Sequence, residues 1–366
     1  VATRPALDLP PGPEVPPGLI DLASGNPDLD LLPPLGPGLV AIASHHEPYG
    51  APAVDADLAE VFRSELSADG VAADQLAIVS GALDGMERVL GAHLRPGDRV
   101  ALEDPGYPAV AELVAAMGFG VVPVAVDDRG PVPASMAEAL ERGVEAVVVT
   151  PRAQNPTGAA LDHDRAAELA DRLDTRPGVL VIEDDHAGPV AGQPFRHLCA
   201  GRVRWATVRS VAKSLGPDLR LAALVGDEVT IGRVVGRQSL GAGWVSHVLQ
   251  RLVLHLLTSP ETRVGLERAS AAYTDRRRAV VEVLSAAGQR VHGRSGLNVW
   301  IPVHDEAAVV AGMERLGFAI RSGAPFRRRS PAGVRVSTAA NDVDTLTEAA
   351  RALVELVQSR PGLRSG

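Results

Sequence analysis

The chain has 366 residues, 46% of them hydrophobic, and its 36 Lys and Arg against 45 Asp and Glu leave a formal net charge of −9. That length calls for two cores of unequal size, and an acidic balance without a long basic run excludes nucleic acid as a partner of this segment, because phosphate contacts need clustered cations. One cysteine, Cys199, rules out an internal disulfide and fits a reducing compartment, the cytoplasm; no run reaches the roughly 18–20 apolar residues that a bilayer crossing needs, and the start lacks the order of a signal peptide.

Residues 1–18 carry Pro5, Pro10, Pro11, Pro13, Pro16 and Pro17 and read as an extended arm or linker. With Val1 in place of a methionine, they look like a chain trimmed after a linker. An apolar start at Ile20 breaks at Gly25-Asn26-Pro27, and Glu47-Pro48-Tyr49-Gly50 is a turn before a helix over 54–67. From Leu76, strand and helix signals alternate. Strands over 76–79, 99–102, 120–126, 146–150, 179–183, 205–209 and 219–225 enclose helices over 85–94, 109–117 and 162–173, which predicts a mostly parallel sheet with helices on its faces. Long helical stretches follow over 229–239, 245–258 and 261–287. Strands over 296–303 and 333–337, with helices over 306–316 and 342–357, make a smaller α/β unit. The expected divisions are an arm at 1–18, an N-terminal segment at 19–45 packing on the small domain, a large domain at 46–265 and a small C-terminal domain at 266–366.

In a parallel sheet flanked by helices, ligands sit at the carboxyl ends of the strands. Tyr107, Asn155, Asp184, His186 and Lys213 all lie just past predicted strand ends. The turn Ser80-Gly81-Ala82-Leu83 leads into a helix whose first N–H groups suit a phosphate. Each residue alone has an ordinary use. Lys213 could be an exposed loop lysine, Tyr49 a packed turn aromatic, and Asn155 the opening of a Pro-Thr-Gly turn; Arg220 could be a strand-edge charge and Arg335 the partner of a local acid. The short run Arg327-Arg328-Arg329 reads as a solvated loop.

The ordered set Asn155-Pro156-Thr157-Gly158, Glu183-Asp184-Asp185, Ser210-Val211-Ala212-Lys213, Arg220 and Arg335 resembles the fold-type I pyridoxal phosphate enzymes of the class I/II aminotransferase group, from Ile20 to about Val357. The resemblance implies an α/β fold, a mostly parallel seven-stranded sheet flanked by helices with a smaller C-terminal α/β domain. It implies that Lys213 forms the internal aldimine with pyridoxal 5'-phosphate, and that Asp184, in preference to Asp185, pairs with the ring nitrogen. Asn155 would donate to the ring hydroxyl oxygen and Tyr107 stack on the ring. The backbone of Ala82 and Leu83, the Ser210 hydroxyl and Arg220 would hold the phosphate, with Tyr49 reaching in from the other subunit of a homodimer. Arg335 would take a substrate carboxylate beneath the Gly25-Asn26 loop. Two positions depart from the family: His186 stands where a tyrosine is usual, and Ala82 where a Ser or Thr is frequent.

Within the group the chain is most similar to the effector domains of MocR-type (GntR family) regulators, through Asp21-Leu22-Ala23-Ser24-Gly25-Asn26-Pro27-Asp28, Glu183-Asp184-Asp185-His186 and Tyr273-Thr274-Asp275-Arg276-Arg277-Arg278. Two functions follow from the resemblance. One is an aminotransferase acting on an α-amino acid and a 2-oxo acid; the other is a sensor domain that detects an amine or the cofactor itself. A third, lyase, decarboxylase or racemase chemistry at Cα, uses the same motifs.

Overall fold

The computed structural model describes residues 15–358, so most of the proline-rich arm lies outside the described residues. In chain order these residues form β1 (Ile20–Leu22), α1 (Gly36–Ile42), α2 (Ala56–Ala68), β2 (Leu76–Val79), α3 (Ala82–His93), β3 (Arg99–Asp104), α4 (Pro108–Ala116), β4 (Gly120–Asp127), β5 (Gly130–Pro131), α5 (Pro133–Glu141), β6 (Ala146–Val149) and α6 (His163–Asp174). There follow β7 (Leu180–Asp185), β8 (Trp205–Ser210), β9 (Ala222–Gly226), α7 (Glu228–Ser239), α8 (His247–Thr258), α9 (Pro260–Ala286), β10 (Asn298–Pro302), α10 (Glu306–Arg315), β11 (Phe318–Ser322), β12 (Gly333–Ser337) and α11 (Val343–Gln358). Local chemistry sets several starts. Asp55 accepts from the N–H groups of Asp57 and Leu58, Asp162 from Arg165 and Asp227 from Thr230, while Ser259 caps α9 just before Pro260. Each cap satisfies a donor that the first helical turn leaves unpaired.

The large sheet runs β2-β9-β8-β7-β6-β3-β4-β5. Pairing among β8, β7, β6, β3 and β4 is parallel, and β9 runs antiparallel to both its neighbours. The sheet has eight strands, not the expected seven. The additional one is two-residue β5, too short for a periodic signal, which pairs antiparallel with β4. Both faces are covered. On β7, Leu180 and Ile182 belong to the layer containing Met86 and Val89 of α3, whereas Val181 packs with Phe62 of α2 and Leu169 of α6. Alternation of this kind carries on to the strand end, so consecutive Asp184 and Asp185 go to opposite faces.

The small sheet runs β1-β11-β12-β10, with β1 parallel to β11. Leu22, Val299, Ile301, Phe318, Ile320, Val334 and Val336 fill one face against α9, α10 and α11. The other face carries Trp300, Arg321 and Arg335. Besides β5, three elements escape the sequence pattern: α1 and α5, which are short, and β11, whose Phe-Ala-Ile-Arg-Ser follows directly on a helix turn.

Candidate cofactor site

The turn after β8 presents Lys213. The Ser210 hydroxyl accepts from Ala212 N–H and Ser214 Oγ donates to Val211 O, which holds the turn tight. Lys213 Nζ donates to Gly25 O at 2.8 Å. Burial, with the positive charge of Arg335 adding to it, pulls the Lys213 pKa down to about 8.

The two aspartates at the end of β7 meet opposite conditions. Asp185 is fully buried, and burial would raise its pKa, but Arg152 grips both its oxygens at 2.8 and 2.9 Å and Arg209 adds a third contact at 2.7 Å, so it is held at about 2. Asp184 has no such partner: its Oδ1 is buried without a hydrogen bond among the described residues. Burial raises its pKa to about 6; His186 opposes the rise, and the charges of Asp185 and Glu103 add to it. His186 Nδ1 is likewise buried and unpaired among the described residues.

At the start of α3, Gly81 has φ of +93°, and a Cβ there would lie 3.1 Å from Arg220 Nη2. Arg220 itself is left-handed at φ +43°, and its Nη2 reaches Ser80 O at 3.4 Å. Ala82 and Leu83 form the first turn of α3, half-buried. Guanidinium, small-residue turn and helix N-terminus thus make one cationic cradle.

Arg335, only 5% exposed, donates from Nη1 to Asn155 Oδ1 at 3.2 Å and from Nη2 to Ala23 O, and lies over the Phe326 ring with 5.0 Å to its centroid. Burial, and after it Arg321, lowers its pKa to about 10. Gly25, at φ +69°, sits so close that a Cβ would be 3.1 Å from both Nη atoms, so this loop position favours glycine. Asn26 beside it is exposed. Tyr107 precedes α4 and is 45% exposed; partial burial and the Asp184 charge raise its pKa, with Arg335 and Arg220 opposing.

Lys213, Gly25, Arg335, Asn155, Asp184, His186 and Tyr107 therefore converge, with Ser210 and the Arg220 cradle at one side. Tyr49 does not join them. It is 93% exposed and stands edge-on to Trp244 at 6.1 Å.

Residues without an earlier assigned role also enter. Glu103, Tyr107, Thr150, Asp184, Phe326 and Arg328 are among those lining a cavity of about 290 Å³ beside the site. Burial lifts Glu103 to about 7, against hydrogen bonds from Thr150 N–H and the Gln154 amide. Asp104 accepts from the N–H groups of Arg328, Arg329 and Ser330 and from the Ser330 hydroxyl, so the triple-arginine loop is clamped through its backbone. The signal for both acids was their place at a strand end, in Glu103-Asp104-Pro105.

This donor set fits pyridoxal phosphate. An unpaired buried carboxyl suits a cationic ring nitrogen, a lysine of lowered pKa suits an aldehyde, and the Arg220 cradle suits a phosphate dianion.

A model of class I and II aminotransferases matches residues 19–353, and the chain belongs to that family. It is 37% identical over 337 residues, 91% of this chain and 78% of the other, to the vitamin B6 salvage pathway transcriptional repressor PtsJ of Salmonella typhimurium. To the HTH-type transcriptional regulator TauR of Rhodobacter capsulatus it is 31% identical over 64% of this chain, spanning 49% of TauR. To the aminotransferase tdiD of Emericella nidulans it is 29% identical over 78% of this chain and 75% of tdiD. In fold it matches the kynurenine aminotransferase of Pyrococcus horikoshii with a TM-score of 0.83 at 22% identity, covering 93% and 91% of the two chains. The family assignment and the α/β fold expected from the resemblance are thus both borne out.

Proposed function

We propose that this chain is the pyridoxal-phosphate-binding effector domain of a MocR-type regulator, reading an amine that bears a carboxylate. What carries the reading is that Lys213, an unpaired Asp184 and the Arg220 cradle stand together in a chain 37% identical over 91% of its length to a transcriptional repressor. Pyridoxal phosphate supplies an aldehyde for amines and a ring that withdraws electrons from the carbon attached to them.

The chain's own groups do the rest. Lys213, neutral in a useful fraction near pH 8 and now donating to Gly25 O, would be the group that holds the cofactor's aldehyde. Asp184 Oδ1 and His186 Nδ1, both buried and unpaired among the described residues, would hold the ring nitrogen and, alongside Asn155, the ring hydroxyl oxygen, and Tyr107 would cover the ring. Ala82 and Leu83 N–H, Ser210 and Arg220 would orient the phosphate. Arg335, freed from Ala23 O, binds the ligand's carboxylate, and the Gly25-Asn26 loop shields it from water. Support for an aminotransferase as second reading lies in the Arg335–Asn155 pair and in the likeness to tdiD; Lys213 Nζ would then also move a proton from the ligand's Cα.

A cytoplasmic homodimer completes the proposal. Tyr49, 93% exposed, would reach its partner's phosphate, and exposed Val40 and Leu240 would supply apolar surface for contact.

Mixing the purified chain with pyridoxal phosphate should give a yellow protein, and Lys213→Ala should stay colourless. A panel of amino acids then separates the readings: spectral change without conversion to the pyridoxamine form supports the regulator, and conversion supports the enzyme. A wild-type chain that never takes up colour refutes both.

A further inference from the structure

On the small sheet, Arg321 of β11 stands directly opposite Arg335 of β12, and Trp300 of β10 lies opposite Arg335 on its other side. The apolar residues of these strands, Ile320, Val334 and Val336, all point to the helical layer. Alternation therefore puts Arg321 and Arg335 together on the face that looks at the cofactor site, their Cβ atoms about 5 Å apart. Like charges placed directly across a sheet destabilise it, and here Arg321 further depresses the pKa of Arg335.

Tyr107 and Asp21 oppose that depression at Arg335, but among the described residues no hydrogen bond or ion pair answers Arg321 itself. Arg321 is half-buried and has no hydrogen bond or ion pair among the described residues, whereas Arg335 has Asn155 and Ala23. Asp21, on the neighbouring strand β1, shares the face, but its Oδ1 accepts from Ala23 and Ser24 N–H and it makes no ion pair with Arg321 among the described residues. Two adjacent guanidiniums, one wholly unpaired, need more negative charge than a single carboxylate supplies, because each planar fork fills both oxygens of its own carboxylate.

We propose that Arg321 is a second anion anchor beside Arg335, and that the site takes a dicarboxylic amine, one acid group on each arginine. The inference rests on the reading of Arg335 as the ligand's carboxylate site and deepens it by naming the ligand class.

An unreactive diacid tests it without any chemistry at the cofactor. By calorimetry on the cofactor-loaded protein, glutarate should bind about tenfold or more tighter than pentanoate, which has the same length and one acid, as expected for a charge-assisted hydrogen-bonded pair. Arg321→Gln should weaken glutarate about tenfold more than it weakens pentanoate, and Arg321→Lys should restore part of the difference; unchanged cofactor absorbance in both variants shows that the fold is retained. Equal affinities that Arg321→Gln leaves equal overturn this inference alone. Failure of the loaded protein to bind either acid overturns the Arg335 reading and this inference with it.

Discussion

At the scale of single residues, the informative pair is Asp184 and Asp185. They are identical in chemistry and adjacent in sequence, yet one is held at about 2 by two arginines and the other is left unpaired at about 6. Pleating alone separates them. The consequence for stability has a definite sign. In the cofactor-free protein, folded Asp184 keeps a proton that the unfolded chain releases at a lower pH, so stability falls as pH rises from about 4 to about 6 and stays reduced above that. Asp184→Asn should remove the penalty, making the cofactor-free protein more stable than wild type by on the order of 2 kcal/mol above pH 6, with the two converging below pH 4. The same variant should retain pyridoxal phosphate less well on dialysis. Denaturant melts at pH 4 and pH 7 measure the first effect; a variant less stable than wild type at pH 7 would contradict it.

Among elements, the Asp104 clamp ties the end of β3 to the loop between β11 and β12. Gly106 N–H donates to Phe326 O in the same region, so the segment leading to Tyr107 and the loop leading to Arg335 move as one. Asp104→Ala leaves three backbone N–H groups and a hydroxyl without their acceptor, which should cost about 3 kcal/mol. Hydrogen exchange at Arg328, Arg329 and Ser330 should accelerate ahead of that in the strands. A uniform acceleration across the protein would show that Asp104 contributes only general stability. Beneath the site, Arg152 and Arg209 share Asp185 and flank the Phe195 ring at 5.4 Å each, fixing the ends of β7 and β8 that bear Asp184 and Ser210. Such a buried network punishes removal of one partner far more than it rewards its presence.

For the whole molecule, the question is what covers Tyr49. A residue 93% exposed, with only the edge of Trp244 beside it, is a poor end state for an aromatic ring in a monomer. Light scattering should give twice the chain mass, and Tyr49→Ala should weaken cofactor retention, about tenfold if its hydroxyl meets the partner's phosphate. A monomer at micromolar concentration would remove Tyr49 from the site. No helix among the described residues is long and apolar enough to cross a membrane.

Much of this was legible from residue order. The alternation of strands and helices and the turn around Lys213 needed no coordinates, because short-range periodicity and turn chemistry write the parallel sheet and its loop ends into the sequence; the ordered Asn155, Asp184, Lys213, Arg220 and Arg335 came from the family resemblance. Contacts across long sequence separations were not legible. Which of two neighbouring aspartates is consumed by arginines, that a run of three arginines is clamped by Asp104, and that Arg321 faces Arg335 all depend on which strands lie side by side. Strand β11 left no signal of its own, being five residues long and defined by its pairing with β1 and β12. Residue order and the family resemblance carried the family and the sheet and pointed to Lys213; packing settles which charges remain without partners, because burial and proximity, not residue type, set the free energy of a charge.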